Sequence, residues 1–249
     1  MSSSKHIHVE DILLFPEPPW NAIPRVEDDT RCRVLEEFGL DPTRPVIVVG
    51  HQPVFWHAGI LAKFIAADAL ARSCNGQLVH LVIDGHMGSF NEVHWPVPAA
   101  DGSLHRETWR FRDQVEGLPM AMQPACVPFE VPSGSPRGLG LIHAALDEAV
   151  SSGDAALQQS AALDRLMDPW VGPRTTITAS ALASSRVGVE LAERMSSDPH
   201  ACRNTYNRSL LDSPDVGIGE LAEGELPSWT MLDDGTIHTT HDDDDPALR

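Results

Sequence analysis

The sequence predicts an α/β protein with a parallel-sheet core and a mostly helical second half. Two β-branched runs, "PVIVVG" at 45–50 and "QLVHLVIDG" at 77–85, flank the alanine-rich stretch "AGILAKFIAADALARS" at 58–73. Continuous apolar runs of this length read as strands buried on both faces. In the intervening stretch Ile60, Leu61, Phe64, Ile65 and Leu70 fall largely at helical spacing. Strand, helix and strand in about forty residues form a βαβ unit, whose two strands run parallel.

Other elements follow in chain order. The prolines of "FPEPPWNAIPR" forbid regular structure, so the first residues read as an extended arm covering the core through Phe15, Trp20 and Ile23. A short helix over 27–38 stops at Gly39. Beyond the βαβ unit, "FNEVHWPVP" and "HRETWRFRD" read as a hairpin around Asp101-Gly102, and proline-rich text runs to Pro136. Helices are expected over 139–150, 154–167, 180–196 and 199–211, with Asp198 and Pro199 as N-cap and first residue of the last. Loop and strand fragments and the acidic tail "HDDDDPALR" close the chain. The expected divisions are an arm and α/β core at 1–135, a helical region at 136–213, and a loop and strand return with the tail at 214–249.

Composition narrows the function. Eighteen Lys and Arg stand against 36 Asp and Glu, a formal net charge of −18, and the cations form no stripe. Nucleic-acid binding draws its affinity from clustered cations, so it is not expected. No apolar run approaches the roughly 20 residues that cross a bilayer. The N-terminus lacks the layout of a secretory signal, so a cytoplasmic protein is expected. Cys32, Cys74, Cys126 and Cys202 are scattered with no C-x-x-C pair, which suits reduced thiols; nothing in the sequence singles out a reactive one.

The residues that stand out lie after the two strands. In parallel sheets, ligands bind beyond the carboxyl ends of the strands. "GHQPVFWHAG" carries His51 and His57 there, and "DGHMGSFNEVH" carries Asp84, His86 and Asn91. If the strands are neighbours, these side chains share one rim. The helix beginning near Ala58 presents free N–H groups and a positive dipole end suited to phosphate. Gly59 permits close approach there and Lys63 follows about one turn later. Neither a Walker loop nor a G-x-G-x-x-G fingerprint is present.

These residues carry a resemblance. "VVGHQPVFWHAGILAKFIAADALA" followed by "HLVIDGHMGSFNEVHWP" resembles the bacillithiol-biosynthesis cysteine-adding enzyme family. That family shows T-G-Q-Q-P-x-L-x-x-G-P-x-Y-x-x-x-K, then a strand ending in E-D-H-D-F-x-E-V-x-H. Gly50, Gln52, Pro53, Gly59 and Lys63 match the first motif; His86, Phe90, Glu92, Val93 and His94 approximate the second. "HAGI" is similar to the H-I-G-H signature of related nucleotidyltransferases, with Ile60 in place of the final histidine. The resemblance covers residues 44–96 and implies a divergent, truncated branch with a Rossmann-like core. It further implies ATP or ADP with magnesium, bound through Gly50, Gln52, Gly59, Lys63 and Asn91, with His51, His57, Asp84 and His86 as catalytic groups in ligase or transferase chemistry on a small molecule.

Two other readings stand beside this one. His51, His57, Asp84, His86 and His94 are donor types for zinc or iron, and a metal-bound water could hydrolyse an ester or amide. No metalloenzyme spacing accompanies them. The helical region could instead form a non-catalytic interaction module or a homodimer interface. His80, inside an apolar strand, is expected to be packed rather than to face a ligand, as are Trp56 and Trp95.

Overall fold

The computed structural model describes residues 29–55, 58–211, 219–231 and 237–241. The N-terminal arm, His57 with Trp56, and the acidic tail lie outside the described residues. Helix α1 (Asp29–Glu37) ends one residue before the expected boundary, and Gly39 turns the chain at φ +69°. Strand β1 (Val46–His51), helix α2 (Ala58–Ser73) and strand β2 (Gln77–Val82) form the expected unit, and β1 pairs with β2 in parallel from Val46–Gln77 to His51–Val82.

The sheet has a third strand, β5 (Arg174–Thr178), that the sequence reading missed. It pairs parallel with β2, so β2 lies central in the order β1-β2-β5. The region expected to be helical thus completes the sheet. Hairpin β3 (Glu92–Pro98) and β4 (Leu104–Arg110) turns near Gly102, where φ is +82°. Strands β6 (Glu225–Met231) and β7 (Ile237–His241) pair antiparallel near the end.

Helices cover both faces of the small sheet. On one face Val49 and Leu78 pack against Phe64, Ala67 and Ala71 of α2 and against Met167. Met167 ends helix α4 (Ala155–Met167), whose N-cap Asp154 accepts from the Leu157 N–H. On the other face Val79 and Ile177 meet Leu35 and Leu40. Strand β1 is not buried on both faces as expected: Val48 is 55% exposed. The reason is position, since β1 is an edge strand and the α1 cluster reaches Val46 and no further along it. A second core joins Trp109 and Phe111 to Leu139, Ala145 and Leu146 of helix α3 (Arg137–Glu148) and to Ala162 of α4.

The helix expected over 180–196 is two helices, α5 (Ala179–Ala183) and α6 (Arg186–Ser197). Ser185 separates them, and its side chain accepts from the Gly188 N–H at 3.0 Å as the N-cap of α6. Gly188 permits the close crossing, because a Cβ there would collide with the carbonyl oxygens of Leu182 and Ala183. Helix α7 (Pro199–Leu211) starts as expected, Asp198 accepting from the Ala201 N–H at 2.9 Å. No residue of α6 or α7 is buried; α6 is held to α1 by Arg33 and Glu190, paired at 2.8 Å. Among the described residues no helix is long and apolar enough to cross a membrane.

Candidate functional site

Because β1 and β2 are parallel neighbours in register, the connections after His51 and Val82 leave the same edge of the sheet. The Ile83 N–H still donates to the His51 carbonyl at 3.0 Å, so the two chains separate just beyond the histidine. His51 Nδ1 lies 3.1 Å from the Gln52 carbonyl. That oxygen can only accept, so Nδ1 carries the proton.

His86 lies in the connection that follows β2. Its ring rests on Gly88, where a Cβ would lie 2.7 Å from Cε1 and 2.8 Å from Nε2. Its carbonyl accepts from the Met120 N–H at 3.0 Å, and Asp84 accepts likewise from Ala121 at 3.1 Å. The segment after β4 therefore braces this loop. Partial burial pulls the His86 imidazole below the usual histidine range; a hydrogen bond with the Ser89 backbone opposes this, and the charge of His51 reinforces it.

The other expected site residues have distinct fates. Asp84 is 2% exposed and binds Ser180 through both carboxylate oxygens, accepting from the backbone N–H at 3.1 Å and from the hydroxyl. It straps the β2 exit to the start of α5 and is buried there. Asn91 is buried and braces the loop, donating to the Arg112 carbonyl at 3.1 Å. Gly50 lies in β1 over Leu81, with Gln52 just after the strand. Gly59 and Lys63 sit exposed at the start of α2. His94 is away from the rim, on the hairpin, with Nδ1 2.8 Å from Thr108 Oγ1. His57 lies outside the described residues. Among the described residues no three His, Cys, Asp or Glu side chains gather as a metal would require.

Sequence reasoning missed the most densely bonded polar cluster. Asp164 of α4 meets His80 Nδ1 at 3.0 Å, Arg174 Nε at 2.6 Å and Thr176 Oγ1 at 2.6 Å. Burial pushes the Asp164 carboxyl up, but the hydrogen bond and field of His80, with Thr176 and Arg174, outweigh it and hold the group below the usual range. Arg174 also donates to the Asp164 carbonyl in the last turn of α4, to the Asp168 carboxylate and to the Gly172 carbonyl in the loop beyond. His80 is fully buried, edge-on to Phe64 with centroids 4.9 Å apart, and so is packed as expected. Trp95 likewise packs on the Trp109 core.

A cleft of about 510 Å³ opens at the opposite, amino ends of the strands, lined by Arg44, Asp68, Arg72, Asn75 and Arg174 among others. Its charges are matched internally: Arg72 pairs with Asp68, Arg174 with Asp164, and Arg44 donates to the Asn75 and Gly76 carbonyls.

No family model, curated protein or solved structure matches this chain. The geometry therefore carries the functional reading.

Proposed function

We propose that the chain is a nucleotide-binding enzyme of the ligase or transferase kind, with a Rossmann-like core and its ligand at the carboxyl edge of the sheet. The observation that carries this reading is that two parallel, in-register neighbouring strands bring the connections bearing His51 and His86 to one edge of the sheet. The likeness of residues 44–96 to the cysteine-adding enzymes of bacillithiol synthesis supports the same placement. The residues present fit a nucleotide's phosphates: α2 begins at the rim with Ala58 and Gly59 exposed, and Lys63, also exposed, follows about one turn later. They fit magnesium less well, since Asp84 is buried against Ser180 and no three carboxylate, histidine or cysteine side chains gather among the described residues.

When bound, a nucleoside triphosphate supplies the activated phosphoryl or adenylyl group. The chain's own residues then have separable roles. Lys63 and the N–H groups of α2 hold the anion. His86, whose pKa is depressed chiefly by burial, accepts a proton from an attacking amine. In its protonated form His51, with Nδ1 donating to the Gln52 carbonyl, presents its Nε2–H to negative charge. Asp84 positions the loop that carries His86.

Thermal-shift titration with ATP, ADP and AMP, with and without magnesium, tests the reading. A ligand at a hundred times its Kd adds about 2.7 kcal/mol of stability, a shift of several degrees for a chain this size. The shift is expected in the native chain and is reduced at least about tenfold in apparent affinity in His86→Ala and Lys63→Ala. No shift with any of the three nucleotides would contradict it.

A further inference from the structure

Arg112 is 4% exposed, and its Nη1 is buried with no hydrogen-bond partner. The rest of the guanidinium is held, Nε donating to the Asp113 carbonyl at 3.1 Å and Nη2 to the Pro124 carbonyl at 2.8 Å. Both acceptors are neutral, and no carboxylate pairs with Arg112 among the described residues. Arg174, whose side chain is likewise buried, instead meets the carboxylates of Asp164 and Asp168. A buried cation without a counter-ion is costly, and an orphaned donor of this kind calls for an explanation.

Its surroundings tie the group to the rim. The guanidinium lies over the Phe90 ring, 5.6 Å from the ring centre, and the Arg112 carbonyl accepts from Asn91 Nδ2. Phe90 and Asn91 belong to the connection that carries His86, and Val54, from the connection after β1, packs on the Phe90 cluster. Asp113 and Pro124, whose carbonyls hold the group, are themselves exposed, so the guanidinium lies close beneath the surface. With Nε and Nη2 fixed, the N–H groups of Nη1 have a set direction, and a planar guanidinium matches the oxygens of phosphate or carboxylate. We propose that Arg112 is an oxyanion-binding residue, taking the phosphate or carboxylate group of a small molecule on Nη1. The site is separate from the one proposed for nucleotide phosphates, which rests on Lys63 and the start of α2.

The test is proton–nitrogen nuclear magnetic resonance of the full chain, titrated in separate arms with sodium phosphate and sodium acetate. Sodium chloride at matched pH and ionic strength gives the baseline, because phosphate also acts on proteins generally without occupying a site. One or both oxyanions are expected to move the amide signals of Phe90, Asp113 and Ala125 saturably, and the arm that does so names the group bound. Arg112→Gln is expected to raise the apparent dissociation constant at least about tenfold, and Arg112→Lys, which keeps the charge without the fork, by less. Circular dichroism checks the fold of each variant. In the native chain alone, no saturable movement in either arm, or movement confined to the amides of Gly59 to Lys63, would overturn the proposal. So would undiminished binding in folded Arg112→Gln. A native chain that binds ATP but shows no oxyanion at Arg112 would end this proposal and leave the nucleotide reading standing; oxyanion binding at Arg112 without any nucleotide shift would do the reverse.

Discussion

Asp164→Ala is expected to destabilise the fold by roughly 3–5 kcal/mol, because breaking a buried ionic network leaves its other members uncompensated. Arg174, with a side chain only 5% exposed, would lose its main carboxylate, and His80, wholly buried, would lose its Nδ1 acceptor. Thr176 would lose a bond of 2.6 Å. The three donors come from β2 and β5, so the damage falls on the seam between central and outer strands. Urea unfolding followed by circular dichroism measures it. Asp164→Asn keeps the shape and one acceptor and should fall between the two.

The same carboxylate fixes a pH dependence. Its folded pKa lies below the unfolded value of 3.8, so the unfolded chain binds the proton more readily. The stabilisation is complete above about pH 5 and is lost as pH falls through the unfolded value and then the folded pKa. In Asp164→Ala that part of the acid sensitivity should be missing.

Phe64→Ala is expected to cost about 3–5 kcal/mol, the usual range for emptying a buried phenylalanine site. Phe64 is fully buried and joins α2 to β1, β2 and the end of α4. Its neighbours Ala67 and Ala71 are already small, so the helix has little bulk with which to refill the space. The functional consequence is specific. Phe64 follows Lys63 and anchors the helix whose start meets the rim, so loss of packing should weaken nucleotide binding as well as stability. Phe64→Leu, which retains most of the volume, should lose less than half as much. Phe64 touches His80, and His80 touches Asp164, so the double variant with Asp164→Ala should depart from additivity.

How far this was legible in the sequence depends on the range of the interactions. The βαβ unit was readable because its signals are local: β-branched runs for β1 and β2, and helical spacing for α2. Strand β5 was not. It has five residues, three of them threonine, and its identity rests on pairing with a strand nearly a hundred positions earlier. Without β5, Asp164 reads as an ordinary polar position on a helix, since Arg174 and Thr176 have no place beside it. Asp84 was legible as an unusual residue at a strand end, but its partner Ser180 lies 96 positions away, and only the folded chain reveals the strap. The break between α5 and α6 was legible in hindsight from paired serines at 184 and 185 with Gly188 following, a local capping signal that an apolar spacing pattern obscures.

The most direct test of the account is nuclear magnetic resonance of the histidine rings, titrated with pH and with ATP. His86 should titrate below the ordinary histidine range of about 6.5, and its curve should change when His51 is replaced by glutamine. Adding ATP should move the His51 and His86 resonances and leave His94 and His105, out on the hairpin, where they were. ATP that moved neither rim histidine, or a His86 titration indifferent to His51, would contradict a ligand site between these two strand exits.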